Sequence, residues 1–344
     1  MTLKAAVIGL GRIGSLLETD HLREKPCTHA GAIAANPGLA LCAGADIEEE
    51  RRRLFAEKWN VPVYKDAGEM LEKEKPEILH IATHPDSHWH YCSMAERYGV
   101  LAVVCEKPLA DNLSEAKKIA ALHKSGKITI ITNHERRYSA DYSEARNILA
   151  DGSRLGPVIG VKGTLYMGKT RRLIDQLWHD GTHLADAAMF LTGSVLKHKK
   201  SVALHSGFLS SALKKKSGTV FLLGQLLKPS IPAANPLPFL MELGTERDHL
   251  VFELEISCER GKLKIGNKIF EIWESKESTY AAGFFSLEKT LEGFPEKTGY
   301  FSNMAADALS CARARLNKEI PAPISSAADG LRVIEYLHSV CAWR

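Results

Sequence analysis

The chain has 344 residues, enough for two domains, with an ordinary balance of 45% apolar and 25% charged residues. A formal charge of +4, with no Lys/Arg block longer than Arg51–Arg53 or Lys214–Lys216, gives no reason to expect a nucleic-acid partner. No apolar run suits a membrane span, the first strand begins too early for a secretory leader, and the seven cysteines form no CxxC pair, so reduced thiols and a cytoplasmic location are expected.

Leu3 to Ile8 is an apolar run that reads as a buried strand, and it ends in Gly9-Leu10-Gly11-Arg12-Ile13-Gly14. Ile13, Leu16 and Leu17 open the apolar face of an expected helix. A strand, a GxGxxG turn and a helix form a phosphate grip. The first Gly makes the tight turn, the second admits the pyrophosphate, the third lets helix and strand pack, and free N–H groups at the helix start face the anion. The expected ligand is NAD or NADP. Leu39–Ala45 is a second strand ending at Asp46, and Glu48–Trp59 reads as a helix. Strands Ile78–Ala82 and Leu101–Cys105 flank a helix around Ser87–Tyr98; Ser114 is the expected N-cap of a helix to about His123, and Ile128–Thr132 closes the series. Such alternation predicts a parallel, doubly wound sheet.

The pattern then changes. After a helix near Tyr142–Leu149 come expected strands Val158–Met167, Val202–Ser210, Thr219–Leu226, Leu250–Ile256 and Leu263–Trp273. Leu250, Phe252, Leu254 and Ile256 share one face and Glu253 and Glu255 the other, the mark of a largely antiparallel sheet with one covered face. The Pro-rich stretches 229–238 and 321–323 read as loops, and Ala327–Ala342 as a last helix with Leu331, Ile334, Leu337 and Val340 on one stripe.

A carboxylate at the end of the second strand holds the adenosine ribose hydroxyls and repels a 2′-phosphate, so Asp46 favours NAD over NADP. The separation from Gly14 to Asp46 exceeds the usual spacing of roughly 20 residues by about ten, and the excess must lie in Thr19–Gly38. Arg51–Arg53 keeps NADP open. His21, Cys27 and His29 in the long segment match no zinc spacing, and no metal is expected.

Two clusters carry chemistry. Cys105-Glu106-Lys107-Pro108 ends a parallel strand, where ligands of open α/β sheets lie, and a lysine there can hold a substrate hydroxyl; the alternative is an exposed turn lysine. Trp178-His179-Asp180-Gly181-Thr182-His183-Leu184-Ala185-Asp186 sets His183 and Asp186 on one helical face, with His179 and Asp180 at its start. Histidine suits the proton transfer that alcohol oxidation requires, although a capping aspartate beside a core histidine explains the same residues.

GLGRIG at 9–14, IATHPDSH at 81–88, EKPLA at 106–110, NHERRY at 133–138 and GTHLAD at 181–186 occur together and in order. In this the chain resembles the Gfo/Idh/MocA oxidoreductases, a family that includes glucose–fructose oxidoreductase and inositol dehydrogenases. The resemblance implies an α/β fold: an N-terminal Rossmann domain over 1–132 and a C-terminal α+β domain over 133–326 with a large open, mostly antiparallel sheet. The final helix, about 327–342, is free to pack back on the first domain. It implies that Gly9, Gly11, Arg12, Ile13, Gly14, Asp46, Thr83, His84, Pro85, His88, Glu106, Lys107 and Asn133 contact the cofactor. Lys107 matches the family lysine that orients the reacting hydroxyl, and His183 the family's proton acceptor or donor. Arg136, Arg137, His179 and Asp180 join them as substrate residues. Lys162, Lys169, Arg171 and Arg172 are candidates for meeting a carboxylate or phosphate, although ordinary surface charge explains them equally well. The chain departs from the family in one place: many members carry Asp four residues before the histidine, where this sequence has His179, so His179 or Asp180 must fill that role or His183 works with Lys107 alone.

The expected function is hydride transfer between a nicotinamide and a secondary alcohol of a sugar, cyclitol or related polyol, by a homodimer or homotetramer. An NAD-dependent glycosidase using transient oxidation and a non-catalytic dinucleotide-binding regulator are the alternatives. Retention of both Lys107 and His183 speaks against the regulator.

Overall fold

The computed structural model describes residues 1–168, 172–203, 213–214, 218–229, 235–293 and 297–342. Two compact units divide the chain: residues 1–139 with 297–334, and 140–296 with 335–344.

The first unit is built on β1 (Leu3–Ile8), β2 (Leu39–Ala45), β3 (Val63–Tyr64), β4 (Ile78–Ile81), β5 (Ala102–Cys105) and β6 (Thr129–Thr132). They form one parallel sheet in the order β3-β2-β1-β4-β5-β6. The order reverses between β1 and β4, the place where open sheets of this kind bind ligands beyond their strand ends. β4, β5 and β6 are buried at every residue, as expected of parallel strands covered on both faces. The crossovers are α1 (His29–Ala35), α2 (Glu49–Trp59), α3 (Ala67–Glu74), α4 (His88–Arg97) and α5 (Leu113–Lys124). Asn112, not Ser114, caps α5, its side chain accepting the Glu115 N–H at 2.9 Å.

The second unit carries α6 (Ala140–Asp151), the short α7 (Leu173–Gln176), a π-turn over Leu177–Gly181 and α8 (Thr182–Thr192). Its sheet contains β7 (Val158–Met167), β8 (Val195–Ala203), β9 (Thr219–Leu227), β10 (Leu237–Gly244), β11 (Leu250–Cys258), β12 (Gly261–Gly266), β13 (Ile269–Glu277) and β14 (Phe285–Glu292). The eight strands run β14-β13-β12-β11-β7-β10-β9-β8, antiparallel except where β10 lies parallel to β7. Every residue of α8 is buried, and the helix packs on β7, β8 and β11. The apolar face of β11, with Phe252, Leu254 and Ile256, is therefore covered within this unit. Its outer face is polar, tied to β12 by the pairs Glu253–Lys264 and Glu255–Lys262 at 2.9 and 2.8 Å.

Several expectations need correction. The segment 297–326, assigned to the second domain, lies in the first unit. Its helix α9 (Tyr300–Leu316) sends Phe301, Met304, Ala305, Ala308 and Leu309 into the same core as Leu3, Val7, Ile33 and Ile131. The last helix, α10 (Ala327–Cys341), is divided between the units after Ile334. The strand expected at Val202–Ser210 runs instead from Val195 to Ala203, and its remaining residues lie outside those described. Leu263–Trp273 is two strands, separated where Lys268 takes a positive φ of 58°. The supposed loop 229–238 gives way to β10 at Leu237.

Candidate active site

The turn after β1 is shaped by contact rather than by flexibility alone. Gly9 has φ 89°, and a Cβ there would lie 2.7 Å from the Ala82 carbonyl; one on Gly14 would lie 2.0 Å from the Gly9 oxygen. A Cβ on Gly11 would meet the Arg51 guanidinium at 3.7 Å. Among the described residues, no group accepts from the N–H groups of Gly11, Arg12, Ile13 and Gly14, whereas Ser15 and Leu16 turn back to the Gly11 carbonyl at 3.0 and 3.1 Å. Four free amides beside a glycine-walled opening fit a pyrophosphate.

The helix expected directly after Gly14 is interrupted. Leu16–Thr19 is a single 3-10 turn, and α1 begins only at His29. The His29 and Ala30 N–H groups donate to the Ile13 and Gly14 carbonyls, both at 3.0 Å, so α1 continues the turn begun at Gly11. The intervening loop is tied down. Glu18 accepts from Cys27 N and Thr28 Oγ1, and Lys25 donates to the Leu17 and Asp20 carbonyls. Glu24 accepts from Thr298 N, Thr298 Oγ1 and Gly299 N at 2.7 to 2.8 Å, at the start of α9. The extra length before Asp46 is thus an insertion inside the first helical turn, and the register of the fold is kept.

Asp46 ends β2 and is buried. One carboxylate oxygen accepts the Leu10 N–H at 2.8 Å, holding the glycine turn, and the other accepts the Glu48 N–H at 2.9 Å. Arg51 lies 3.5 Å away, while Arg52 caps the Asp46 and Ile47 carbonyls and Arg53 pairs with Glu50 and Glu57.

Beyond β4, Thr83 and His84 lead into a 3-10 turn opened by Pro85. His88 is wholly buried, its two ring nitrogens 3.2 Å from the Leu109 and Thr83 carbonyls. Burial pushes its pKa down despite these carbonyls, so the ring is neutral and donates to one of them at a time. His88 therefore pins the turn after β4 to the turn after β5.

Glu106 and Lys107 follow β5, with Lys107 half-buried. The Glu106 carboxylate accepts from Asn133 Nδ2 at 2.6 Å and meets His29 Nε2 at 2.9 Å; His29 Nδ1 in turn lies 2.9 Å from His80 Nδ1. All four residues are buried. Burial pushes the Glu106 carboxyl up, but His29, Lys107 and the Asn133 amide together hold it below the ordinary glutamate value. No motif points to His80, a histidine inside an otherwise apolar strand, and in the sequence His29 stands out only beside His21 and Cys27, whose spacing matches no zinc site. Among the described residues no group of three His, Cys, Asp or Glu side chains is arranged to hold a metal ion.

Arg136 pairs with Glu135 at 3.2 Å. Arg137 is buried, 3.3 Å from both the Ile324 carbonyl and the Asp329 carboxylate, which places it in a structural joint of the first unit.

In the second unit the π-turn carries His179 and Asp180, 3.2 Å apart, one turn ahead of His183. π-turns recur at functional sites because they reset the phase of side chains along a helix. The His179 side chain is 62% exposed and that of Asp180 13%, while His183 and Asp186 are buried in α8. Lys162 is exposed on β7, and Arg172 forms a two-pronged pair with Asp175 at 2.7 Å. Lys169 and Arg171 lie outside the described residues.

A family model described as "Oxidoreductase family, NAD-binding Rossmann fold" matches residues 3–134. The first unit thus has the Rossmann fold of the NAD-binding family that this model describes. Over these residues the chain is similar to the Gfo/Idh/MocA oxidoreductases. An inositol 2-dehydrogenase of Salmonella typhimurium is 30% identical over 173 residues, covering 49% of this chain and 48% of the relative. A D-apiose dehydrogenase of Paraburkholderia graminis is 27% identical over 172 residues, covering 46% of this chain and 45% of the relative. The chain spans about half the length of the curated relatives it matches. A scyllo-inositol dehydrogenase from Lactobacillus casei, solved with NAD(H) and scyllo-inositol, superposes with TM-score 0.71 at 16% identity, covering 98% of this chain and 96% of that one. A UDP-N-acetylglucosamine 3-dehydrogenase from Acidithiobacillus ferrooxidans does so with TM-score 0.73 at 16% identity, with the same coverage. At these identities the likeness is one of fold.

Proposed function

We propose that the protein is an NAD-dependent dehydrogenase acting on a secondary alcohol of a sugar, cyclitol or related polyol. The observation that carries this reading is the position of Lys107 beyond β5, in the same unit as the four free amides of the Gly11–Gly14 turn and the ribose carboxylate of Asp46. Inositol and apiose dehydrogenases among the relatives support a polyhydroxylated substrate. The free amides fit a pyrophosphate, and Asp46 favours an unmodified ribose, hence NAD over NADP.

Bound NAD supplies the hydride acceptor. The Lys107 ammonium donates a hydrogen bond to the substrate oxygen and stabilises the negative charge that grows there as the carbonyl forms. His183 accepts the hydroxyl proton, so that an alcohol yields a ketone, one hydride and one proton; in reverse it returns that proton to the oxygen. The pair His179–Asp180 sits one helical turn ahead, where it tunes the proton transfer. In this reading the sheet of the second unit is the substrate domain, and the protein works as a homodimer or homotetramer.

The test is a screen of inositols, aldoses, uronic acids and sugar phosphates with NAD and with NADP, followed at the reduced-nicotinamide absorbance. Reduction of NAD by one polyol class is the expected result. Release of a leaving group without net NADH would replace the dehydrogenase by a glycosidase that oxidises transiently.

A further inference from the structure

The buried chain His80–His29–Glu106–Asn133 is larger than the mechanism above needs. It joins α1, the end of β5 and the end of β6 to the interior of β4, all within the first unit. His29 is also bolted to the glycine turn through the Ile13 carbonyl, and its ring edge meets Phe301 of α9 with centroids 5.5 Å apart. Glu106 additionally accepts the Lys107 N–H at 3.2 Å.

The protons of this chain are constrained by its geometry. His29 Nε2 faces a carboxylate and must carry a hydrogen. A single proton lies between the two facing Nδ1 atoms, because neither two bare nitrogens nor two N–H groups can approach to 2.9 Å. His80 Nε2 is buried with no partner among the described residues, and an orphaned acceptor is tolerated there more readily than an orphaned N–H. The favoured arrangement has His80 donating to a neutral His29, which donates to ionised Glu106. Burial, with His29 second, pushes the His80 pKa well down, in keeping with a neutral ring.

Glu106 then dictates the orientation of Asn133. Only the amide nitrogen can face a carboxylate oxygen at 2.6 Å, so Oδ1 is turned the other way. That oxygen is buried, on a residue only 3% exposed, and among the described residues it has no partner. A buried carbonyl oxygen without a donor is uncommon and points to a group that arrives with the ligand. Asn133 stands beyond β6, on the opposite side of the switch point from Asp46 at the end of β2. With the ribose carboxylate at β2 and the free amides at β1, the nicotinamide end of the dinucleotide falls on the β4–β6 side.

We propose that Asn133 Oδ1 accepts a hydrogen bond from the carboxamide N–H of the nicotinamide, and that His29, acting through Glu106, is the positioning residue that aims it. This rests on the cofactor reading above and specifies an atom and a relay within it. Asn133 is the binding residue. His29 and Glu106 fix its amide, and the same carboxylate holds the turn that carries Lys107.

The test separates the two ends of the cofactor by titrating wild type, Asn133→Ala, His29→Ala and His29→Gln with NADH and with ADP-ribose, which lacks the nicotinamide. Asn133→Ala and His29→Ala should each weaken NADH roughly tenfold, the loss of one buried hydrogen bond, and leave ADP-ribose within about twofold. His29→Gln, whose amide can still donate to Glu106, should recover most of the NADH affinity. The reduced 3-acetylpyridine analogue, which has no amide N–H, should bind wild type and Asn133→Ala alike. Equal loss of NADH and ADP-ribose would make His29 a structural support of the glycine turn and overturn the relay. Unchanged NADH affinity in Asn133→Ala would overturn the carboxamide contact. If His29→Ala does not fold, the same split in His29→Gln, smaller in size, supports the relay, and no split overturns it. Failure of wild type to bind ADP-ribose at all would instead remove the cofactor reading itself.

Discussion

His29, at the start of α1, is hydrogen-bonded to Ile13 across the loop that separates them: the His29 N–H donates to the Ile13 carbonyl at 3.0 Å, and Ala30 repeats the bond to Gly14. The turn that offers its amides to a phosphate and the helix that backs it are therefore one element made from two pieces. The same arrangement delivers the His29 ring to Glu106.

Lys107→Ala should lower turnover by about 10²–10³-fold, the usual effect of removing a group that stabilises developing charge. NADH affinity should remain near that of wild type, because the phosphate amides and Asp46 belong to other elements. Steady-state kinetics alongside an NADH fluorescence titration checks both. Near-normal turnover would remove Lys107 from the mechanism.

Asp46→Ser should weaken NAD and improve NADP, since the ribose acceptor and the repulsion of a 2′-phosphate disappear together while Arg51 remains close by. The Leu10 N–H loses its carboxylate as well, so some overall cofactor affinity should be lost. The measurement is the ratio of kcat/KM for the two coenzymes. A wild-type preference for NADP would place the ribose elsewhere.

Stability should fall on acidification in two stages. His80 is held neutral by burial, so its folded pKa lies well below an unfolded value of about 6.5. The folded state then binds fewer protons, and stability present above that pH is lost as pH drops below it, at up to ~1.4 kcal/mol per pH unit. Glu106, whose folded pKa is also depressed, adds its loss only below the ordinary glutamate value of about 4.3. Urea denaturation across this range should show a shallower slope for His80→Asn between pH 5 and 6.5, roughly the first window. An unchanged slope would mean that the ring is not held neutral.

Glu24 accepts three hydrogen bonds at the start of α9 and adds negative charge where a helix N-terminus favours it. Glu24→Ala should destabilise the protein by roughly 1.5–3 kcal/mol, the range for hydrogen bonds to a charged group, with little change in turnover. Calorimetry and kinetics on one preparation would reveal the opposite pattern if the loop acted on the site instead.

His183→Asn should lower turnover more than His179→Ala, because the buried His183 lies within α8 whereas the His179 side chain is largely exposed beside Asp180. A pH–rate profile of oxidation, if His183 takes the proton, should be flattened by His183→Asn and not by His179→Ala. The reverse ranking would assign proton transfer to His179.

The Rossmann half was legible because its signals are local: buried strands written as apolar runs, glycines where a Cβ would strike Ala82 or Gly9, and a carboxylate closing β2. What escaped was non-local. α9 has few apolar residues in a row, and only packing against Leu3 and Ile33 shows where it belongs. The insertion hid the start of α1, since Leu16 and Leu17 imitate a helical stripe that the chain abandons at Thr19. The Leu263–Trp273 run conceals its turn because Lys268 adopts positive φ without being glycine. Lys107 was visible by its motif, whereas the relay behind it was not. His29, His80, Glu106 and Asn133 are far apart in sequence, and nothing in their spacing announces a shared proton.

The contribution of α9 to the first core has a consequence for the order of assembly. The wall formed by Phe301, Met304, Ala305, Ala308 and Leu309 leaves the ribosome after the whole of the second unit's sheet has been made. During synthesis the nascent N-terminal half must wait, with Leu3, Val7 and Ile33 lacking their final cover, while the later-made sheet has all its strands first. A purified chain ending before residue 297 should therefore leave β1 and α1, which lack their α9 cover, open to protease.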